Sequence, residues 1–341
     1  MTTAKTRRTR SRQTIEDYLL SEHELEEMYY FMLLARRLNE RMLALNRQGR
    51  APFVIAGAGQ EAAQVGAAMA LKRGTDYLAP YYRDLGMNLV LGMSAREAML
   101  NLLGKRDDPS SHGRQMPSHW GNTERRIVTG SSVVATQLLH AAGIALAAKL
   151  QNDPLVVLTC CGEGSTSKGD FHEALNFAAI HKLPVIFYVQ NNGYAISEST
   201  VKEMPVPNVA DRARGYAMQS AMVDGMDCIA VYQTVRPAVD QARRGGGPYL
   251  IEAKCYRLWG HSSDDDDSRY RPKAELEEWI KKDPLTLFRG RVEKDGIFPK
   301  EDLDEIEHRV EEEVREAVQW ALMQPDPDPE DALGFVYKEA E

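Results

Sequence analysis

The residues best suited to chemistry lie between Gly162 and Tyr194. Gly162-Glu163-Gly164 is followed by three hydroxyls, Ser165, Thr166 and Ser167, and further on by Asn191-Asn192-Gly193-Tyr194. Glycines on both sides of Glu163 let backbone N–H groups approach a bulky anion. A helix start after Gly169 adds a dipole that favours negative charge. The Glu163 carboxylate, the Asn192 amide oxygen and a backbone carbonyl make an all-oxygen donor set, which suits Mg²⁺ rather than Zn²⁺. Together these residues read as a Mg²⁺-diphosphate site. Alone, the glycine-rich turn would read as an ordinary strand-turn-helix; the second cluster makes the pattern specific.

The elements that must hold these groups are legible on either side. Leu155 to Cys161 and Val185 to Val189 are continuous apolar runs, and a helical pattern covers about Asp170 to His181. Strand, turn, helix and strand form a βαβ unit of roughly 30 residues. Unbroken apolar strands predict a parallel sheet covered on both faces. Such a sheet gathers ligands outside the carboxyl ends of its strands. Glu163 and Asn192 would then meet at neighbouring strand tips.

Further candidates stand at other strand ends and loops. Tyr82-Arg83 follows the short apolar stretch Tyr77 to Ala79; a guanidinium fork beside a phenol can hold phosphate, or the pair can be a surface Arg over a packed Tyr. His119 lies in the long polar loop Lys105 to Arg126, where it reads equally as a solvated histidine or as a ligand contact. Ser131 and Ser132 precede a helix of small residues, Leu138 to Leu150, and could simply cap it. His261 follows the strand-like run Pro248 to Arg257, on the rim expected for Glu163 and Asn192. There it could donate to a developing oxyanion or manage a proton near neutral pH. The four aspartates Asp264 to Asp267 beside it would ordinarily be a solvated loop.

Bulk properties narrow the classes. The chain has 341 residues, 43% hydrophobic and 27% charged, as in a globular protein, with a net charge of −8 that argues against general nucleic-acid binding. No apolar run approaches the ~18 residues of a membrane span. Cys160, Cys161, Cys228 and Cys255 lack metal-ligand spacing and read as reduced core thiols of a cytoplasmic protein, with Cys160 and Cys161 on opposite faces of one strand. Three regions are expected: a disordered basic arm over 1–20, an α/β domain over 21–290, and an acidic helix and tail over 291–341. The α/β domain would begin with a long helix capped at Ser21 and ended by Gly49.

Gly162-Glu163-Gly164 with Asn191-Asn192 resembles the thiamine diphosphate motif. The wider stretch CGEGSTSKGDFHEALNFAAIHKLPVIFYVQNNGYAIS is similar to the alpha subunit of the decarboxylating component of 2-oxo acid dehydrogenase complexes. The pattern GRQMP-x-H at Gly113 to His119 matches the same family. HSS-x-DD-x-S-x-YR at His261 to Arg271, like the Glu at 163, resembles the branched-chain type.

The resemblance implies a doubly wound parallel sheet of the thiamine diphosphate-binding fold with N-terminal and C-terminal helical extensions. It implies thiamine diphosphate and Mg²⁺, the metal held by Glu163, Asn192 and the Tyr194 carbonyl. Tyr82, Arg83, Ser132, Val134, Gly162, Gly164, Ser165 and His261 would line the coenzyme, with His261 and Ser132 next to the reacting groups. Ser131, Thr136 and Gln137 match a monovalent-cation site, K⁺. Implied partners are a beta subunit in an α2β2 heterotetramer, which carries the glutamate that activates the coenzyme, and a lipoyl transacylase that accepts the acyl group. The substrate would be a small branched-chain 2-oxo acid. A pyruvate or acetoin dehydrogenase alpha subunit, and a non-catalytic nucleotide-binding regulatory subunit, are the alternatives.

Overall fold

Strands buried on both faces need cover on both faces, and that requirement organises the molecule. The computed structural model describes residues 20–334, so most of the basic arm and the end of the tail lie outside the described residues. In chain order the elements are α1 (Glu22–Arg47), α2 (Glu61–Ala68), β1 (Tyr77–Ala79), α3 (Leu85–Val90), α4 (Ala95–Leu103), α5 (Thr136–Gln151) and β2 (Val157–Gly162). They continue with α6 (Gly169–His181), β3 (Val185–Asn191), β4 (Tyr194–Ala195), β5 (Glu198–Ser199), α7 (Thr200–Glu203), β6 (Gln219–Asp224) and α8 (Cys228–Arg243). The last are β7 (Tyr249–Lys254), α9 (Lys273–Ile280), α10 (Pro284–Lys294) and α11 (Lys300–Leu322).

Five strands pair in the order β1-β2-β3-β7-β6, every pair parallel. Alternate residues divide between two cores. Leu158, Cys160, Ile186, Tyr188 and Ile251 face a large core with α1, α2, α8 and α11. Val157, Cys161, Val185, Phe187 and Leu250 face a second core with α5 and α6. Cys160 and Cys161 thus lie on opposite faces, and all four cysteines are buried and unpaired. The sheet is doubly wound, as expected.

Local signals set the helix limits. Ser21 and Glu24 form the reciprocal capping box that opens α1, and Gly49 beyond its end adopts a left-handed φ of 71°. In α5, Ala141, Ala142, Ala145 and Ala148 are buried, whereas Gly143, Ala147, Leu139 and Leu150 remain exposed. The small-residue helix therefore has one packed face and one open face. Leu303, Ile306, Val310 and Val314 of α11 join the same core as Leu25, Met28 and Met32 of α1. Leu20, at the start of the described chain, is buried there too.

The stretch from Ser197 to Asp211, which carries Pro205 and Pro207, holds part of a hairpin (β4 with β5), the single turn α7 and the start of a 3₁₀ helix, Val209–Tyr216. These pieces are too short for hydrophobic periodicity to reveal them. Among the described residues, no helix is long and apolar enough to cross a membrane.

Candidate functional site

The register Ala79↔Thr159, Gly162↔Gln190 and Asn191↔Lys254 brings the carboxyl ends of β1, β2, β3 and β7 to one edge of the sheet. A cleft of about 560 Å³ opens there. It is lined by Tyr82, Arg83, Ser132, Val134, Gly162, Glu163, Gly164, Ser165, Asn192, Tyr194 and His261, each a candidate from the sequence. His119 also lines it, while Thr136 and Gln137 open α5 and Ser131 precedes them in the loop that carries Ser132 and Val134.

Glu163 begins a 3₁₀ turn directly after β2 and is only 1% exposed. Its Oε2 accepts the Asn192 backbone N–H at 2.9 Å, so the two strand tips are joined. Its Oε1 is buried with no protein partner. Burial pushes the carboxyl up from its ordinary range; the Asn192 N–H and the Arg257 and Arg83 guanidiniums oppose that shift. A buried carboxylate oxygen left without a donor calls for a cation. The Asn192 amide oxygen takes only a long 3.4 Å bond from Tyr194 N–H. The Tyr194 carbonyl accepts from Arg257 at 3.3 Å, and its second lone pair stays available. Among the described residues no three His, Cys, Asp or Glu side chains gather to hold a metal, so these oxygens fit a hard cation rather than a soft one. The glycines serve the same turn: a Cβ on Gly164 would lie 2.6 Å from that of Ala195, whereas Gly162 leaves its backbone bare to the cleft.

Positive charge faces this corner. Arg83, 2% exposed, donates to the Ala56 carbonyl at 2.7 Å and to the His261 carbonyl at 3.2 Å. Arg257, 1% exposed, donates to Ile196 O at 2.7 Å and Trp259 O at 3.2 Å. Among the described residues neither guanidinium has a carboxylate within 4.0 Å. Burial first, then Arg83, lowers the Arg257 pKa. Two buried guanidiniums that repel each other across a cleft form a seat for a multiply charged anion.

His261 sits between them, with Nδ1 3.3 Å from Arg83 Nη2 and 3.4 Å from Arg257 Nη1. Nδ1 must therefore accept, and the ring hydrogen resides on Nε2. Burial, then Arg83 and Arg257, pull its pKa from 6.5 down to about 4, against the opposing pull of Asp265. With its pKa so lowered, His261 is a neutral donor through Nε2 at neutral pH. Between those two values the unfolded chain binds a proton that the folded chain refuses. The stability from His261 is complete above its ordinary pKa and is lost as pH falls toward about 4. In thermal melts of the ligand-free protein, the gap between wild type and His261→Asn should narrow from about pH 7 to about pH 5, by about 1 kcal/mol after discounting partial exposure. A constant gap would mean that the ring titrates normally.

The aspartate run is tied down rather than merely solvated. Asp265 accepts the His261 N–H at 2.6 Å and a short bond from the Tyr270 hydroxyl, while Asp267 pairs with Arg271. Gln137 is 1% exposed, donates to Cys160 O at 2.6 Å and keeps a buried Oε1 without a partner, which fits a cation at that loop. Ser131 Oγ accepts the Val133 N–H at 3.1 Å.

Sequence reasoning missed Arg257, taken only as the end of a strand. One signal could have found it: Tyr256-Arg257 repeats the Tyr82-Arg83 pair at another strand end. Also missed were Phe53, Ile55 and Ile196, which with Met116 give the cleft an apolar wall. No local pattern marks residues that meet only through the fold.

A family model described as "Dehydrogenase E1 component" matches residues 29–330. The chain is 50% identical over 322 residues to the 2-oxoisovalerate dehydrogenase subunit alpha of Bacillus subtilis (strain 168), covering 93% of this chain and 96% of the relative. It is 37% identical over 327 residues to the 3-methyl-2-oxobutanoate dehydrogenase subunit alpha of Mycobacterium tuberculosis (strain ATCC 25618 / H37Rv), covering 94% and 84%. It is 38% identical over 303 residues to the pyruvate dehydrogenase E1 component subunit alpha of Staphylococcus aureus (strain N315), covering 89% and 79%.

Proposed function

Because the chain belongs to the dehydrogenase E1 component family, we propose that it is the alpha subunit of a branched-chain 2-oxo acid dehydrogenase. It would work with a beta subunit in an α2β2 heterotetramer and pass the acyl group to a lipoyl transacylase component. The observation that carries this reading is the buried, half-satisfied Glu163 carboxylate, bonded to Asn192 at the adjoining strand tip and facing two guanidiniums that, among the described residues, have no carboxylate within 4.0 Å.

Each residue has a task in that reading. Glu163, Asn192 and the Tyr194 carbonyl hold Mg²⁺. Arg83, Arg257 and Tyr82 hold the diphosphate, and the bare backbone from Gly162 to Ser165 lets it approach. Val134 would meet the coenzyme through its backbone, and Ser131, Thr136 and Gln137 would hold K⁺. Thiamine diphosphate, when bound, supplies the electron sink that lets the substrate carboxylate leave as CO₂. His261 offers its Nε2 hydrogen to oxygen in the cleft, and Ser132 lines the same cleft. Phe53, Ile55, Met116 and Ile196 form an apolar wall that suits a branched aliphatic side chain.

The exposed apolar residues Val133, Leu139, Leu150, Phe177, Ile180 and Ile196 support a covering partner chain. Buried reduced thiols suit a cytoplasmic location.

A second reading, a pyruvate dehydrogenase alpha subunit, is favoured by the 38% identity to the Staphylococcus aureus relative. With the reconstituted pair, 3-methyl-2-oxobutanoate should exceed pyruvate in kcat/KM by ~10-fold or more, since one or two buried methylenes are worth about that. Equal values or a preference for pyruvate would favour the second reading.

A further inference from the structure

Ser132 is exposed in a loop that ends at Ala135, whose φ of 74° is left-handed. One side chain on another loop holds it. His119, only 7% exposed, places Nε2 2.5 Å from Ser132 Oγ. Its Nδ1 lies 3.1 Å from the Met116 carbonyl and 3.2 Å from that of Pro117. A ring nitrogen between two carbonyls must carry hydrogen. In the neutral imidazole Nε2 is then an acceptor, and the Ser132 hydroxyl donates to it. The chain from hydroxyl to imidazole to carbonyl runs in one direction only, with the Ser132 proton committed to His119 and its lone pairs left free to accept.

We propose that His119 is a positioning residue that fixes Ser132 as a hydrogen-bond acceptor in the cleft. The ligand group it meets must bring its own N–H or O–H, from either the coenzyme or the hydroxyl that the keto oxygen of the 2-oxo acid becomes as it reacts. The inference rests on the dehydrogenase reading above and adds to it how Ser132 is oriented.

The test uses the assembled pair carrying Ser132→Ala, His119→Asn, His119→Gln, or Ser132→Ala with His119→Asn. The Asn amide can keep the contact with the Met116 carbonyl but cannot reach Ser132; the Gln amide oxygen can reach it. Ser132→Ala and His119→Asn should each lower the measured constant by ~10- to ~100-fold, and the double variant by no more than either alone. His119→Gln should recover to within ~3-fold of wild type. Calorimetric titration of thiamine diphosphate registers the loss if the coenzyme supplies the hydrogen. If the hydroxyl formed from the keto oxygen supplies it, coenzyme affinity stays level and kcat/KM at saturating coenzyme registers the loss. A wild-type His119→Asn, or losses that multiply in the double variant, would overturn the positioning role. If His119→Asn fails to melt cooperatively, the comparison of Ser132→Ala with His119→Gln decides: a Gln variant as impaired as the Ala variant refutes it. Lack of turnover in the wild-type pair would instead strike the dehydrogenase reading, leaving the coenzyme titration to judge His119.

Discussion

Replacing Glu163 with glutamine should reduce kcat/KM of the assembled enzyme by ~100- to ~1,000-fold, more than the 10- to 100-fold typical of losing a group that merely supports a metal ligand. The amide is nearly isosteric and can still accept from the Asn192 N–H, so the strand tips should stay joined. What it removes is the charge on the buried, partnerless Oε1. Burial already disfavours that charge in the ligand-free protein. The variant should therefore melt at the same temperature as wild type or higher without coenzyme, and lose the stabilisation that coenzyme with Mg²⁺ adds. Glu163→Asp should fall between the two, since it keeps the charge but is one methylene short of the position Glu163 reaches. Activity of Glu163→Gln near wild type would place the metal elsewhere.

The chain alone, given thiamine diphosphate, Mg²⁺ and 3-methyl-2-oxobutanoate, should release no CO₂ above background, and adding a beta subunit should restore turnover. Activation of the coenzyme needs a carboxylate at its ring, distinct from those at its phosphates. Two carboxylates line the cleft. Glu163 is committed to the strand-tip site, and Glu203 accepts the Ser167 hydroxyl at 2.7 Å beside the same turn. In the proposed reading both stand on the phosphate side, which leaves the ring without a carboxylate from this chain. Among the described residues, the only sheet besides the doubly wound one is the two-stranded hairpin of β4 and β5, which cannot form a second coenzyme-binding domain. CO₂ release by the lone chain would refute the shared site.

The centre of the fold was legible because burial writes itself into sequence. β2 and β3 are covered on both faces, so they appear as unbroken apolar runs, and the turn between them needs glycine beside Glu163. The amphipathic α11 was equally plain, although its docking in the core with α1 was not. The pairing of helix to helix depends on shape rather than period. The site was legible where short motifs end strands, as at Arg83, Glu163, Asn192 and His261. It was not legible where a residue acts through long-range contact. Gln64, for example, donates to the Arg83 carbonyl at 3.0 Å and accepts Gly86 N–H at 3.0 Å, while Gln190 donates to Asp84 at 2.5 Å; together they form a buried brace under the Tyr82-Arg83 turn. Nothing local to Gln64 or Gln190 announces that brace. The neutral state of His261 was hidden for the same reason, since it depends on two arginines 178 and 4 residues away in sequence.

The most direct measurement is calorimetric titration of the assembled wild-type enzyme with thiamine diphosphate, with and without Mg²⁺, beside Glu163→Gln. A metal clasped by Glu163 and Asn192 against the diphosphate predicts binding that requires Mg²⁺ in wild type and is lost in the variant. Equal binding by both proteins, or tight binding of a mononucleotide with none of thiamine diphosphate, would contradict it.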